Sequence, residues 1–353
     1  MSEVASGQKV AYHAEKLRSY LSGKRIFPAT IELDVTSRCT RTCRDCPSSR
    51  SPKDDNLSLA FVRELFGLFK GETQGLLMTG GEPTISPDFP AVLQLARESG
   101  FVDIAVVTNG SRLSNRQVTD ALLAHASTIR VSMYDWEPEA CGIATTLRNI
   151  EELRHRIESA RSCLQIGIST LTSAENVDRL VPLAETLRGA GAHWIYFHPM
   201  CTGWDLGCPQ QVNQTGVLDA IAKYRETLNG GFQAFVSSAR YQKSSLHFSA
   251  YHAAHFLMIL GADAKNYLGA EVKYQRRHIL ADLAAERGPD ILWSEERLGR
   301  IAAHSSSSYP ALGSRHRGVL YSHFIEALKQ APASEAESAI AAAAQEYRFP
   351  HIL

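Results

Sequence analysis

The stretch TSRCTRTCRDCP, residues 36–47, places Cys39, Cys43 and Cys46 in a C-x-x-x-C-x-x-C pattern. A structural zinc site usually takes four Cys or His ligands in two close pairs, so this triad leaves zinc one ligand short. An iron–sulfur cube that is held by only three cysteines keeps one iron without a protein ligand, and that iron can bind a small molecule. The spacing therefore favours a cluster with an open coordination site.

The composition limits the compartment and the kind of partner. Lys plus Arg and Asp plus Glu both number 37 in 353 residues, so no strong field attracts nucleic acid or anionic lipid, and a small neutral or zwitterionic substrate is expected. Seven cysteines are an odd number, and their crowding argues for metal ligation in a reducing compartment. The sequence shows neither a signal-type N-terminus nor a run of roughly 20 apolar residues, so a cytoplasmic protein is expected.

Hydrophobic patterns that alternate between strand and helix surround the cysteines. The predicted helices span residues 10–22, 58–70, 88–99, 115–124, 145–160 and 175–190. The predicted strands contain the sequences IELDV, GLLMT, VDIAVVT, TIRVSMY, LQIGIST and HWIYFHP. Strands that are separated by helical crossovers pair in parallel, and their carboxyl ends then open into the loops of an active site.

The predicted fold class is α/β, a partial (β/α)6 barrel with a mostly helical C-terminal cap. We divide the chain into an N-terminal helix (1–28), the partial barrel (29–212) and a C-terminal cap or substrate region (213–353). Beyond about residue 215 the regular alternation fades, and only one strand or hairpin is expected there.

A second motif follows the cysteine loop, because Gly80, Gly81, Glu82 and Pro83 form GGEP at the end of the second predicted strand. Together with the cysteine triad, this motif resembles the radical S-adenosylmethionine (SAM) superfamily over residues 30–200. The resemblance implies one [4Fe-4S] cluster on the three cysteines and S-adenosyl-L-methionine as cofactor, with GGEP accepting the methionyl amino group. It also implies a 5′-deoxyadenosyl radical that removes a hydrogen atom from an unactivated carbon.

The same resemblance assigns two further SAM contacts. Thr108, in the sequence TNG after the third strand, and Ser132, on the fourth, fall where relatives hold the SAM carboxylate and ribose. TNG is also an ordinary turn sequence, and a strand serine can simply bond to nearby backbone. Asp45 stands where the family usually carries an aromatic residue near the adenine, so the adenine contacts are not predicted.

The first strand predicts two inward carboxylates. Its apolar residues Ile31, Leu33 and Val35 should face the helices, which turns Glu32 and Asp34 into the barrel. Two inward carboxylates either form a structural pair with arginine or backbone donors or act as acid and base on substrate hydroxyls. A neighbouring carboxylate is expected to raise the pKa of one partner, so that a base and an acid coexist at neutral pH.

The sixth strand predicts an inward face of Trp194, Tyr196 and His198 by the same period of two. His198 stands at the carboxyl end of this strand and opens the loop HPMCTGWD, which also contains Trp204 and Asp205. Because barrel enzymes place their chemistry at such strand ends, we predict that this loop contacts the substrate.

The remaining cysteines and a histidine cluster have weaker assignments. Cys201 could donate a hydrogen atom to a product radical, or join Cys208 in a second cluster, but no cysteine follows position 208 and one cluster is expected. Cys141 and Cys163 are expected to be buried hydrophobes. Packing or substrate contact on an aromatic-rich helix is favoured over metal binding for three histidines: His247, His252 and His255.

Within the superfamily, the sequence resembles the sugar dehydratase branch of antibiotic pathways, which includes a blasticidin S pathway enzyme acting on a cytosyl sugar and a paromamine deoxygenation enzyme of aminoglycoside pathways. The resemblance implies hydrogen abstraction at the sugar C4′ and dehydration of a 1,2-diol. Such a reaction needs a carboxylate near the diol, and Glu32 is the first candidate, followed by Asp34 and His198.

Other reactions stay open at this point. They are decarboxylation of a cytosylated uronic acid, radical epimerisation or oxidation of a sugar, and a non-catalytic iron–sulfur sensor. The resemblance further implies a flavodoxin or ferredoxin type electron donor and a separate ketoreductase that acts on the product.

Overall fold

The computed structural model describes residues 6–43, 45–46, 48, 51–52, 54–133, 143–203, 210–241, 245–286, 288–309 and 316–353. In these ranges a ten-stranded sheet has the order β12-β11-β10-β1-β2-β3-β4-β5-β6-β9, and β7 pairs separately with β8. The strands are β1 Thr30–Asp34, β2 Gly75–Thr79, β3 Asp103–Thr108, β4 Thr128–Ser132, β5 Gln165–Thr172, β6 Trp194–Pro199, β7 Cys201–Thr202, β8 Gln210–Gln211, β9 Gln233–Val236, β10 Leu257–Leu260, β11 Lys265–Tyr267 and β12 Ile279–Asp282.

The first six helices lie where the sequence pattern predicts them, within a few residues at each end, and four more lie in the C-terminal region. They are α1 Ala14–Leu21, α2 Leu59–Leu68, α3 Phe89–Glu98, α4 Arg116–His125, α5 Ile143–Ala160, α6 Val177–Gly189, α7 Val217–Thr227, α8 Glu295–Ala302, α9 Arg317–Gln330 and α10 Ala333–Ala343. Side-chain caps fix several of their starts. Ser58 accepts a hydrogen bond from the backbone N–H of Phe61, and Asn115 accepts one from that of Val118.

Alternation along β1 separates two environments. Ile31 and Leu33 are fully buried and pack in one core with Val62 and Phe66 of α2. Glu32 lies on the opposite face of the strand and lines a cavity. Because side chains alternate across a strand, the apolar residues of β1 face the helices as predicted, and its polar residues face inward.

The sheet curls strongly, because two strands that are far apart in the sheet order line one cavity. Glu32 on β1 and Tyr196 on β6 line the same cavity, although β6 is five strands away from β1. At a spacing of about 4.8 Å between strands, a flat sheet would separate them by about 24 Å. The α/β class and the partial barrel are therefore confirmed.

The C-terminal region contains the expected helices and also extends the sheet at both edges. β9 pairs in parallel with β6, and β10 pairs in parallel with β1. The predicted aromatic-rich helix is a short 3-10 helix, His252–His255, followed by β10. The four residues of β10 are all buried, and such a continuous apolar run suits a strand covered on both faces.

The histidines of this region have structural surroundings. His252 bonds to the hydroxyl of Tyr20 at 2.7 Å and to the carboxylate of Glu326 at 2.9 Å. His247 donates its backbone N–H to Nδ1 of His323. In the part of the chain that the structure describes, no group of three His, Cys, Asp or Glu side chains is placed to bind a single metal ion.

The segment around residues 348–353 closes the amino-terminal end of the barrel. The backbone N–H of His351 donates to Asp103 at 2.9 Å, and that of Leu353 donates to the hydroxyl of Thr30 at 3.0 Å. The buried Lys9 ammonium donates to the carbonyl of Ile352 at 2.6 Å. This segment therefore forms the bottom of the cavity inside the barrel. Among the described helices, none is long and apolar enough to span a membrane.

Gly167→Ala is expected to lower the melting temperature, because an added Cβ on β5 would lie 2.0 Å from the ring of Trp194 on β6. Overpacking of this kind costs about 1–3 kcal/mol. Gly67→Ala is the matched control, since open space surrounds this glycine inside α2 and alanine is favoured there by about 0.5–1 kcal/mol. Thermal unfolding followed by circular dichroism measures both, and shifts of the same sign would contradict the register of β5 and β6.

Candidate active site

A cavity of about 330 Å³ occupies the inside of the curled sheet. Small-molecule sites usually measure roughly 300–1,000 Å³, so the cavity has the size of a ligand pocket. Its wall combines the cysteine loop, the loop after β2 and inward residues of five strands, β1 to β4 and β6. The predicted site residues that line it are Glu32, Cys39, Cys43, Cys46, Gly80, Gly81, Thr108, Ser132 and His198.

The three cysteines of the triad share this cavity. Cys39 is exposed, and Cys43 and Cys46 are partly buried. The backbone N–H of Arg41 donates to Cys39 Sγ at 3.4 Å, and the side-chain amide of Asn109 approaches the same sulfur at 3.8 Å. Such donors favour a thiolate. In an iron–sulfur cube each thiolate binds a different iron, so its ligands lie further apart than those of one ion.

The glycines of GGEP let the loop after β2 lie directly against the start of the cysteine loop. The N–H of Gly81 donates to the carbonyl of Thr36 at 2.8 Å, and the N–H of Glu82 donates to that of Arg38 at 2.7 Å. A Cβ on Gly81 would lie 2.0 Å from the Arg38 oxygen. Gly80 has a φ of +127°, which few other residues adopt. The close contact therefore requires both glycines.

Glu82 ties this loop to the loop after β3. It is fully buried and accepts hydrogen bonds from the hydroxyl of Thr108 at 2.7 Å and the backbone N–H of Asn109 at 2.6 Å. A further donor is the hydroxyl of Thr84 at 2.5 Å. Of the GGEP residues, the two glycines line the cavity, whereas the Glu82 side chain holds the surrounding loops together.

These residues fit a [4Fe-4S] cluster and SAM. Three thiols face one cavity, and the side-chain-free loop at Gly80 and Gly81 leaves backbone groups accessible beside them. Asn109, which the sequence reasoning missed, lines the same wall and reaches towards Cys39. The TNG sequence was a usable signal, because an amide that follows a strand end often binds ligands.

Glu32 and Asp34 share a buried cation. The ammonium of Lys273 donates to Glu32 Oε1 at 3.0 Å and to Asp34 Oδ1 at 2.8 Å. The guanidinium of Arg317 also binds Glu32, and the hydroxyl of Tyr274 donates to Asp34 Oδ2 at 2.7 Å. The two inward carboxylates are therefore held by side chains from the C-terminal region.

This arrangement corrects the expected pKa relationship. Burial raises the pKa of Glu32, but the nearby charges of Lys273 and Arg317 outweigh it and lower the pKa to about 2. Burial lowers the pKa of Lys273, but Asp34 and Glu32 outweigh it and raise that pKa. The prediction that a neighbouring carboxylate raises the pKa is wrong for Glu32, because an ammonium lies between the two groups. Glu32 is an anion at neutral pH.

His198 lies between a serine and an arginine at the end of β6. Arg240 donates to His198 Nδ1 at 3.0 Å, and Nε2 bonds to the hydroxyl of Ser169. A guanidinium cannot accept a hydrogen bond, so Nδ1 is the acceptor and Nε2 carries the proton. Burial and then the charge of Arg240 lower the pKa of His198 well below its usual value. In this arrangement His198 is neutral and orients Arg240.

A second histidine, which the sequence reasoning missed, pairs with a buried carboxylate. His316 lines the cavity, and its Nδ1 lies 2.9 Å from Glu271 Oε2. Glu271 also accepts a hydrogen bond from the hydroxyl of Tyr309 at 2.8 Å. A carboxylate that engages one ring nitrogen orients the imidazole and leaves the other nitrogen for proton transfer.

The other cysteine predictions have mixed outcomes. Cys201 is buried in β7, and burial raises its pKa to about 11, so it is a thiol. Cys163 is exposed, so its assignment as a buried hydrophobe is wrong, because it lies in the turn between α5 and β5. Four residues named above lie outside the described part of the chain: Cys141, Trp204, Asp205 and Cys208.

Residues 33–187 match the family model described as the Radical SAM superfamily. This part of the chain is therefore a radical SAM region. Members of the superfamily use a [4Fe-4S] cluster and SAM, and these are the cofactors of this chain. The predicted recognition and cofactors are confirmed.

Two curated relatives and one solved structure show how far the similarity reaches. The chain is 26% identical over 160 residues to an S-adenosylmethionine-dependent nucleotide dehydratase of Selenomonas ruminantium, covering 42% of this chain and 58% of the relative. It is 31% identical over 192 residues to a GTP 3′,8-cyclase of Xanthomonas campestris pv. campestris, covering 49% of this chain and 56% of the relative. The chain thus spans less than two thirds of the length of these relatives.

The crystal structure of Streptococcus suis SuiB bound to S-adenosylmethionine has a TM-score of 0.63 to this chain at 12% identity, covering 82% of this chain and 72% of SuiB. At this level of identity, the similarity shows a shared fold.

Replacing Cys39, Cys43 or Cys46 with alanine is expected to abolish stable cluster binding, because two thiolates do not hold a cube that already has one open iron. Iron content and the visible absorbance of anaerobically reconstituted protein measure the loss. Cys163→Ala is the matched control, since this exposed thiol lies outside the cavity wall. A triad variant that retains the full iron content and spectrum would contradict the assignment.

Lys273→Met is expected to destabilise the apo protein by about 3–5 kcal/mol, because it leaves buried carboxylates without their shared cation. Combining it with Asp34→Asn removes one of those charges, so the double variant should lose less stability than the sum of the single variants. A coupling of about 1–3 kcal/mol is expected from thermal unfolding of all four proteins. Strictly additive losses would show that the ion pair contributes no coupling.

Proposed function

We propose that this chain is a radical SAM lyase of antibiotic biosynthesis that removes water from the 1,2-diol of a sugar in a small-molecule substrate. Cys39, Cys43 and Cys46 hold the cluster, and the wall formed by Gly80, Gly81, Thr108 and Ser132 holds SAM. When bound, these cofactors supply a 5′-deoxyadenosyl radical that takes a hydrogen atom from the sugar, of the C4′ type. The net change converts a diol into a keto-deoxy sugar and one water.

The observation that carries this proposal is the buried group of Glu32, Lys273 and Asp34 on the cavity wall. An ammonium has three N–H donors, and the two carboxylates take two of them. The third donor is available to a substrate oxygen, because Lys273 lines the cavity. Loss of a hydroxyl requires a donor that supports the departing oxygen, and a preorganised charge is efficient in a water-poor site.

The proton that leaves the neighbouring hydroxyl needs an acceptor. Glu32, an anion held by Lys273 and Arg317, accepts a hydrogen bond from a substrate hydroxyl and positions the diol. The lowered pKa of Glu32 makes it a weak base. His316 lines the same cavity, and Glu271 engages one of its ring nitrogens, which leaves the other nitrogen for proton transfer. We therefore assign positioning to Glu32 and proton transfer to His316.

The Selenomonas ruminantium relative supports dehydration through its name, a nucleotide dehydratase. Decarboxylation of a cytosylated uronic acid is the nearest alternative, since it starts from the same abstracted hydrogen. Epimerisation would need a hydrogen-atom donor such as Cys201, which is a buried thiol near the end of β6. A flavodoxin or ferredoxin type protein is the proposed electron donor, and a ketoreductase is the proposed next enzyme.

Incubation of the reconstituted protein with SAM, dithionite and candidate cytosyl sugars, without oxygen, tests the reaction class. Mass spectrometry distinguishes loss of water from loss of carbon dioxide, from loss of two hydrogens by oxidation, and from the unchanged mass of an epimer. We expect loss of water. Any other mass change would replace dehydration by the reaction that it identifies.

Glu32→Gln is expected to keep SAM cleavage but to form little product, because the amide cannot hold the diol between Lys273 and Arg317 in the same way. Product should fall by about 100-fold or more, the usual range for groups that position or activate a reacting oxygen. The readouts are 5′-deoxyadenosine and product in the same sample. Glu151→Gln, on the exposed face of α5, is the matched control. Full turnover by Glu32→Gln would remove Glu32 from the mechanism.

A further inference from the structure

The cavity wall is strongly cationic, although the formal charge of the whole chain is zero. Seven lysine and arginine side chains line it, against two carboxylates. The cations are Lys9, Arg41, Arg130, Arg240, Lys273, Arg317 and Arg348, and the anions are Glu32 and Glu271. Because field lines are focused in a cleft with one sign of charge, this excess governs which ligands enter.

Part of the excess is neutralised inside the protein. Lys273 and Arg317 bind Glu32, and Lys273 also binds Asp34. Glu271 faces His316. The charge that remains includes Arg240, which lies where the end of β6 meets the residues after β9.

Arg240 is the centre of that remaining charge. It ends the 3-10 helix Ser238–Arg240 and donates to neutral His198 at 3.0 Å. Its Nε is buried and has no hydrogen-bond partner among the described residues, and none of the ion pairs found in those residues includes Arg240. Burial and then the charges of Arg240 and Arg130 lower the pKa of His198, and both arginines line the cavity.

The described residues provide no carboxylate for this guanidinium, and a buried charge without a counter-charge is unfavourable, so Arg240 is suited to an anion that enters the cavity. His198 fixes one nitrogen of the planar fork, and a fork held in this way recognises carboxylate or phosphate oxygens in pairs. An amine-rich substrate would instead meet a like charge.

We propose that the substrate carries an anionic group, a carboxylate or a phosphate, that binds Arg240 inside the barrel. The inference rests on the proposed function and narrows its substrate class to acidic sugars and nucleotides, and it excludes aminoglycosides. The group that reacts lies at the Glu32–Lys273 wall, and the anion lies across the cavity at Arg240, so the two charges of the site orient the sugar between them.

Equilibrium dialysis of the reconstituted holoenzyme with SAM, without reductant, tests the proposal before any reaction occurs. Four probes are compared: a cytosyl uronic acid, its neutral cytosyl hexose counterpart, a cytidine nucleotide and paromamine. We expect one of the anionic probes to bind at least about tenfold more tightly than the neutral hexose, and paromamine to bind most weakly. Comparing the uronic acid with the nucleotide shows whether the site prefers a carboxylate or a phosphate.

The variants then locate the contact. Arg240→Gln should remove the preference for the anionic probe, whereas Arg240→Lys, which keeps the charge but lacks the planar fork, should retain part of it. Arg188→Gln, which removes an exposed arginine from α6, should change nothing. SAM affinity is measured in parallel, because SAM also carries a carboxylate. The proposal is overturned if neutral and anionic sugars bind equally to the wild type. It is also overturned if Arg240→Gln weakens SAM and leaves the sugar preference intact.

These outcomes separate this inference from the proposed reaction. If the anionic sugar binds through Arg240 but the product has lost carbon dioxide instead of water, the proposed dehydration is wrong and the proposed anion site is supported. If Arg240→Gln does not fold, the comparison of the four probes with the wild type and with Arg240→Lys still decides the question.

Discussion

The site depends on one close backbone contact, in which the glycines after β2 lie against the start of the cysteine loop. The N–H groups of Gly81 and Glu82 bond to carbonyls of Thr36 and Arg38, and no room exists for a side chain at Gly81. Glu82 then binds the loop after β3. Three strand ends are joined in this way, and the cysteines that follow Arg38 are directed over the mouth of the barrel.

A second set of contacts joins the barrel to the C-terminal region. Glu32 and Asp34 need cations because they are buried, and Lys273 and Arg317 provide them from segments that follow the sixth strand by many residues. This wall of the cavity is thus complete only when both regions are folded together. Because removing one partner of a buried pair leaves an uncompensated charge, this wall also contributes to specifying the fold.

Much of the barrel could be predicted, because the spacing of apolar residues, two in strands and 3.6 in helices, indicates which face of each element is buried. The cysteine triad and GGEP are short, local motifs, so their residues were also found. Lys273, His316 and Arg240 were not, because their roles arise from contacts over some 40 to 241 residues of chain that no local pattern records. The two inward carboxylates indicated that a cation must lie nearby, but the sequence did not show which residue supplies it. The zero net charge averages over the surface and hides a cationic cavity.

The proposed chemistry requires that three thiolates hold a cube of iron and sulfide whose fourth iron binds SAM. Electron paramagnetic resonance of the reduced, anaerobically reconstituted protein, recorded with and without SAM, tests it most directly. We expect a cluster signal that changes when SAM is added, because SAM binds the open iron, and 5′-deoxyadenosine that accumulates afterwards. Protein that takes up zinc instead, or a cluster whose signal SAM does not alter and beside which SAM stays intact, would contradict it.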